Sequence, residues 1–419
     1  MMMLKRSSSG IRTVFLPYPR EALLFVAASF VNALGSAFMW PLTTLYVYQV
    51  LGRSAADAGF VLMLQSLAGI AGQFTGGALF HRLGAKRLIV GSLLCSSLLQ
   101  CSLLFLTHWL VYAGVMAALG FLNAVTMPAI QAFIGFRWPN ERRSLFNVVY
   151  VGNNVGMAVG TSLAGILAAL SFPLTFLVDS ITTLAFALFF LLFMRISADA
   201  DSQVSLLSLR ESAGQQPWML LRQYRLYLFL ALGSAALFFA TTSWSTGVAP
   251  YLADQGMSMA AYSFLWTVNG IVIFAGQPVT SFIKRILAKT PTAQLIASAA
   301  CYTIGFAFML LFHRTYDMLV LGMVITTFGE MLKAPTVPAF ITEYTGSAAP
   351  FYLGVVGSIG SLGRLFGPLL LGSMYDVGGI VPVAALASAT CAAAVVLFAV
   401  HAFLHRRVIL RQKEAGLLS

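Results

Sequence analysis

The stretch VITTFGEMLKAPTVPAFI, residues 324–341, is apolar except for one acid and one base near its middle. Glu330 and Lys333 stand three residues apart, and no other charge occurs between Asp317 and Glu343. Charges kept beside water need no special account. Charges kept in hydrocarbon must face a partner or a wet interior. Which solvent surrounds this stretch therefore decides how the chain is read.

The remainder of the chain settles the solvent. It has 419 residues, 59% hydrophobic and 9% charged, whereas a soluble domain carries roughly 25% charged residues. Apolar runs of roughly 20 residues, each long enough for a bilayer core of about 30 Å, recur along its whole length. Twelve spans are expected, near 21–48, 57–80, 88–107, 109–136, 144–170, 172–194, 226–250, 260–283, 292–312, 318–342, 351–375 and 380–404. The expected fold class is an all-α integral membrane protein of twelve transmembrane helices.

The basic residues orient these spans. With both termini on one side, 21 of the 25 Lys and Arg fall on that side, including Lys5, Arg87, Arg142, Arg210, Lys284 and Arg406. Only Arg53 and Arg314 fall on the other, and Lys333 and Arg364 lie within spans. That bias is the positive-inside rule. It predicts cytoplasmic termini in a multi-pass protein of the plasma (inner) membrane. One helix more or fewer would scramble the alternation. The most polar stretch, 195–225, divides the chain at its midpoint. The expected organisation is a cytoplasmic segment 1–20, a helical bundle 21–194, a cytoplasmic linker 195–225, a second bundle 226–404 and a tail 405–419.

The opening stretch also exposes an internal repeat. Shifted by 207 positions, MPAIQAFIG (127–135) lies over APTVPAFIT (334–342), matching Pro128 to Pro335, Ala132 to Ala339, Phe133 to Phe340 and Ile134 to Ile341. The register runs on without a gap to Gly156/Gly363, Gly160/Gly367 and Gly165/Gly372. A shift of 204 superposes AGQ at 71–73 on AGQ at 275–277. Two homologous six-helix halves are the architecture of a secondary transporter that rocks about a site at the midplane.

Other classes find little support. The net charge of +12 is spread as punctuation between apolar runs, unlike the basic face of a nucleic-acid binder. Cys95, Cys101, Cys301 and Cys391 sit singly inside apolar segments, and the five histidines are scattered, so neither a metal site nor a cofactor is expected. No GxxxxGK[ST] occurs, hence no ATPase motor, and no constellation of catalytic residues suggests an enzyme. The early apolar run has no cleavage-like site after a short core, so it is read as a first span rather than a signal peptide.

After the second span, GALFHRLGAKR (77–87) resembles the signature loop G-x-L-a-D-R-x-G-r-R/K of the major facilitator superfamily. Gly77, Leu79, Arg82, Gly84 and Lys86 match, while His81 stands where the family has its latch aspartate and Ala85 where it has a base. In the eleventh span, GRLFGPLLLG (363–372), with Gly363, Gly367 and Pro368, resembles the G-x-x-x-G-P-x-x-G-G motif of the superfamily's antiporters. Its counterpart in the fifth span, GMAVGTSLAG (156–165), keeps Gly156 and Gly160 but has Met157 in place of proline. Glycines four apart let helix backbones approach closely, which suits the interface between the halves. LGSAFMWPL (34–42) and GEMLKAPTVPAF (329–340) are similar to short motifs of the twelve-helix drug:proton antiporters, in which the glutamate is implicated in proton coupling. The resemblance implies a secondary transporter that effluxes lipophilic or cationic drugs against protons. A transporter of a sugar, amino acid or siderophore on the same fold is the alternative.

Four charges lie within spans: Asp179, Glu330, Lys333 and Arg364. Each costs about 2.5–3.5 kcal/mol at a helix centre unless paired or wetted. Glu330 is read either as a proton-carrying carboxylate, loading and releasing protons as water access alternates, or as half of a fixed ion pair with Lys333 or Arg364. Arg364 is a counter-ion or a handle for anionic substrates, and Lys333 a cap on Glu330. Asp179 is a second proton or cation site, or a carboxylate held by hydroxyls. Asn32, Gln73, Asn154, Trp244, Trp266, Asn269 and Gln277 are candidates for the substrate cavity, against the commoner role of interhelical hydrogen bonding for Asn and Gln. The expected partners are a small-molecule substrate, protons and the lipid bilayer. Since one copy carries both halves, a monomer suffices.

Overall fold

The computed structural model describes residues 18–39, 43, 46–47, 50–53, 55–106, 108–192, 226–257 and 259–414. The expected linker 195–225, most of the segment 1–20 and Trp40–Pro41 of the first-span motif lie outside the described residues. The described chain is helical throughout. Its helices are α1 (Arg20–Met39), α2 (Ala55–Leu83), α3 (Ala85–Ser102), α4 (Trp109–Arg137), α5 (Arg142–Leu170) and α6 (Phe172–Leu192). The second set begins with α7, which runs Leu226–Thr241, passes through a π-helical turn at Trp244–Val248 and continues as Ala249–Asp254. Then come α8 (Met259–Ala275 and Gln277–Ile286), α9 (Pro291–Phe312), α10 (Tyr316–Lys333 and Thr336–Tyr344), α11 (Ala349–Gly378) and α12 (Ile380–Glu414).

Among the described residues, nine helices are individually long and apolar enough to cross a membrane. The other three, α3, α5 and α8, have physical reasons to fall short. Helix α3 carries Lys86, Arg87, Gln100 and four serines in its 18 residues, α5 carries Arg142, Arg143, Asn147, Asn153 and Asn154, and α8 is split at Gly276. The interruptions in the second set follow prolines that lack an N–H donor. Pro250 stands just after the π turn, Pro278 just after the split in α8, and Pro335 between the two parts of α10. A single proline does not suffice, because Pro128 and Pro368 sit inside the unbroken α4 and α11. Gly84, at φ 76°, turns the chain between α2 and α3 in a conformation that favours glycine.

The two sets of six helices share one neighbour map. In the first, α1 packs on α5 and α6, α3 on α4 and α6, and α2 on α4. In the second, α7 packs on α11 and α12, and α9 on α10 and α12. The glycines of the repeat explain the tightest of these contacts. A Cβ on Gly156 or Gly160 would lie 2.7 or 2.3 Å from the carbonyls of Phe30 and Leu34 on α1. One on Gly363 would lie 2.1 Å from the Ala235 carbonyl on α7, and one on Gly367 would strike Thr242 and approach the Phe239 carbonyl. These glycines therefore seat α5 on α1 and α11 on α7, inside each half. The expected placement between the halves is corrected: the spacing says that a backbone comes close, but not whose.

The halves meet elsewhere. Helix α11 packs on α2 and α4, the second part of α10 on α4 and α5, and the first part of α8 on α5. At the α2–α11 crossing, a Cβ on Gly77 would lie 2.4 Å from the Pro350 carbonyl, and one on Gly354 2.5 Å from the Gln73 carbonyl. Ser358 Oγ donates to the Ile70 carbonyl at 2.9 Å and Gln73 Nε2 to Ser361 Oγ at 2.9 Å. Near the helix ends that carry the basic loops, Arg142 donates to the Thr342 carbonyl at 2.8 Å and Arg143 pairs with Glu343 at 2.6 Å. This basic end is thereby closed. Gly354→Ala must push α2 and α11 apart, and overpacking of this kind costs about 1–3 kcal/mol. Gly372→Ala is the control, since its Cβ meets nothing within 4 Å. Thermal unfolding and cysteine cross-linking across the basic end should show the first variant less stable and less closed, and the second unchanged.

Candidate functional site

Glu330 lies fourteen residues past the start of α10, about 21 Å along the helix and so near mid-depth. Asn269 of α8 uses its Nδ2 to donate to Thr327 Oγ1 at 2.9 Å and to Glu330 Oε2 at 3.3 Å. Across the boundary between the halves stands Tyr150 of α5. Its hydroxyl is buried and makes no hydrogen bond within 3.5 Å, and Glu330 is the principal charge acting on it. The same carboxylate acts on Tyr302 of α9. One acid thus touches or faces α5, α8 and α9 while belonging to α10.

Two cations share the neighbourhood. Lys333, 6% exposed, closes the first part of α10, where a cation favours the negative end of the helix dipole. Its Nζ lies 3.4 Å from the centre of the Phe238 ring on α7 and 3.5 Å from the Ser234 carbonyl. Arg364, midway along α11, places its Cζ 4.0 Å from the centre of the same ring. The cations are therefore within about 7 Å of each other, a repulsion of about 2 kcal/mol at an effective dielectric constant near 20. Each cation–π contact offsets about that much when desolvated. Among the described residues, Glu330 is the one carboxylate acting on both cations. The ion pairs Arg137–Glu21 and Arg143–Glu343 lie elsewhere. Arg364 keeps an exposed face although it packs among α7, α10 and α11.

Asp179 is not part of this cluster. It is 1% exposed, inside the first half, and accepts hydrogen bonds from Gln100 Nε2 at 2.8 Å, Ser36 Oγ at 3.2 Å and Thr183 Oγ1 at 3.4 Å. Three donors from α1, α3 and α6 converge on one carboxylate.

The expected cavity residues scatter. Asn269 joins Glu330, as above. Gln73 and Gln277, the two AGQ glutamines, each bridge the halves: Gln73 donates to Ser361 of α11, and Asn147 of α5 donates to Gln277 Oε1 at 2.9 Å. Asn154 donates to the carbonyl of Tyr150 on its own helix at 2.8 Å. Asn32 Oδ1 is buried without a partner, and Trp266 is exposed beside Tyr262. Trp244 sits in the core of the second half, 2% exposed and 6.0 Å from Phe306, which takes it away from any cavity. In the signature loop, His81 reaches the backbone of Ser347 in the other half while its Nε2 stays unpartnered; Arg82 is exposed and Lys86 half-buried.

Sequence reasoning missed Phe238 and Tyr150. In a chain with 33 phenylalanines, one at a cation crossing carries no signal of its own. Tyr150 lies within a helix whose asparagines drew the attention. It stands two turns from Arg143, in register with the face that meets α10.

The comparisons with known proteins agree with this architecture. A sequence model of the Major Facilitator Superfamily matches residues 25–346. The uncharacterized MFS-type transporter YttB of Bacillus subtilis (strain 168) is 36% identical over 366 residues, covering 86% of this chain and 90% of that protein. The quinolone resistance protein NorA of Staphylococcus aureus (strain COL) is 20% identical over 352 residues, covering 83% and 88%. Two solved structures share the fold at 16% identity and a TM-score of 0.68. They are the transporter FucP in the outward conformation (94% of this chain, 99% of that one) and the human organic anion transporter MFSD10 (91% and 100%). The chain belongs to the Major Facilitator Superfamily of membrane transporters.

Proposed function

We propose that the protein is a proton-coupled exporter of lipophilic compounds, acting as a monomer by alternating access in the plasma (inner) membrane with both termini cytoplasmic. The observation that carries this reading is the position of Glu330: mid-depth, hydrogen-bonded to Asn269, free of any ion pair within 4 Å among the described residues, and facing Tyr150 of the other half. Ionised, the carboxylate accepts from Asn269 and attracts the Tyr150 hydroxyl, which ties α10 to α5. Protonated, it has no charge with which to hold them. A proton is thereby converted into a bias on how the halves meet, which is what coupling requires.

Export of this kind needs protons to load from outside. If the basic end is cytoplasmic, this arrangement faces outward, as FucP does in its outward conformation. Protons then reach Glu330 from outside, and their inward passage drives substrate out. The printed name of NorA, a quinolone resistance protein, supports export of lipophilic drugs. The charge inventory disfavours a permanently cationic substrate, because Lys333 and Arg364 outnumber Glu330. The same inventory favours a second reading, uptake or exchange of a metabolite bearing an anionic group held at Arg364.

Glu330→Gln is expected to abolish proton-driven transport while leaving substrate exchange between two pools intact; dye efflux and proton flux in inverted vesicles measure both. Proton-driven efflux at the unaltered rate would rule out Glu330 as the coupling site. Asp179→Ala strips the acceptor from three buried donors and should lower stability by about 1–3 kcal/mol. Its effect on proton coupling in the folded fraction should be nil, and a loss of coupling with unchanged thermal unfolding would assign Asp179 the proton instead. A panel of acidic, neutral and cationic dyes, with and without a protonophore, separates the readings: no efflux of any dye favours the metabolite carrier.

A further inference from the structure

At the basic end, a cavity of about 280 Å³ opens between the halves. Its walls come from α5 on one side and from α8, α9 and α10 on the other. Lys284 of α8 lines it, with Nζ 3.5 Å from Asn147 Oδ1 and no acid partner among the described residues. Arg143 lines the facing wall, its guanidinium donating to both oxygens of Glu343 at 2.8 and 2.6 Å. That ion pair is neutral, so Lys284 leaves the cavity with a net positive charge.

The backbone adds to this field. The first turn of α9, a helix of 22 residues starting at Pro291, borders the cavity with Gln294. The second part of α10, nine residues long, starts at Thr336 on the same wall. A helix start presents a positive dipole end, which favours anions, and Thr290 Oγ1 already caps the Ala293 N–H of α9. The amide of Gln294 accepts from Thr336 Oγ1 and donates to the Ala288 carbonyl, which fixes this wall. Ala339 and Phe340 complete the lining with an apolar floor.

We infer that this cavity binds a phosphate-bearing anion, with Lys284 as its charge partner, and that the bound anion bridges the two halves in the arrangement closed at the basic end. The volume exceeds what a bare halide fills, and Lys284 of α8 and Arg143 of α5 place a cation on each wall, so one oxyanion can meet both halves. An anion touching both walls adds its binding energy to one conformation alone and shifts the population toward it. The site thus acts as a brake or a staging point, separate from the charged centre around Glu330. The same phosphate chemistry is offered by an anionic phospholipid headgroup at the membrane surface and by soluble phosphate.

Lys284 lies beyond the spanning stretch 260–283, and burial lowers its pKa from 10.5 to about 8. The groups facing it are the Arg143–Glu343 pair and the uncharged Asn147 and Gln294. A lowered pKa on a base means that the folded protein binds fewer protons than the unfolded chain between about pH 8 and 10.5, so without ligand stability rises across that window. Anion binding needs the ammonium form. It is therefore full below about pH 8 and is lost as pH rises through that value.

The test uses the full-length protein in nanodiscs of phosphatidylethanolamine alone or with phosphatidylglycerol, and in detergent with inorganic phosphate against chloride at equal ionic strength. Thermal unfolding is the readout. At pH 7, the unfolding temperature should rise with phosphatidylglycerol, with phosphate, or with both, and the arm that responds identifies the source. Lys284→Gln, which keeps a neutral hydrogen-bonding side chain beside Asn147, should weaken the response about tenfold in concentration. In the unaltered protein, the phosphatidylglycerol response should shrink at pH 9.5, a check that does not depend on any variant folding. No stabilisation in either arm, or an equal response in Lys284→Gln, would overturn the proposal.

Discussion

A charge at the middle of a bilayer has no water to return to, and that constraint organises this protein. Glu330 and Lys333 are tolerable at depth because neighbouring helices enclose them, and Phe238 presents its ring to both Lys333 and the more exposed Arg364. Once the three charges face inward, the orientation of α10 and α11 about their axes is fixed. So is the face of α7 that must meet them. The Tyr150 hydroxyl of the first half then faces the carboxylate. The charged centre is therefore both a packing constraint and the place where a proton changes the forces between the halves.

The repeat shows what was added to a shared scaffold. Asn123 and Thr126 occupy the positions of Glu330 and Lys333 in the first half. There Asn123 accepts from Ser96 at 3.3 Å, and Thr126 shares a 2.7 Å hydrogen bond with Ser92. Both are neutral contacts between α3 and α4. The glycines behave in the opposite way and keep one role in both halves: Ala235 and Phe239 stand to Gly363 and Gly367 as Phe30 and Leu34 stand to Gly156 and Gly160. Even where the halves touch, repeat-mates meet, since a Cβ on Gly135 would collide with Thr342. Close backbone packing is symmetric, whereas the cluster of Glu330, Lys333 and Arg364 is confined to the second half.

What the sequence made legible is what composition and periodic spacing encode. Apolar runs and the placement of Lys and Arg yielded twelve helices, and the shift of 207 revealed two halves. The depth of Glu330 and Arg364 followed from counting residues along a helix. What stayed hidden depends on which surfaces meet. Glycine spacing announced close contacts but not that they join α1 to α5 and α7 to α11. Gln73 and Gln277 looked like cavity residues because the second and eighth helices line the cavity in this fold, yet both hold the halves together. Trp244 looked like a ligand contact and is core. Asp179 looked like Glu330 by charge alone, and only its three donors distinguish it.

The central claim is that the charge on Glu330 governs how the two halves meet. Spin labels at Leu83 and Ile286, exposed positions at the basic ends of α2 and α8, report that separation directly. Their distance distribution, followed across a pH series, should shift between a closed and an open population in the unaltered protein. In Glu330→Gln it should hold one population at every pH. A Glu330→Gln protein that keeps the unaltered pH-dependent shift would contradict the account.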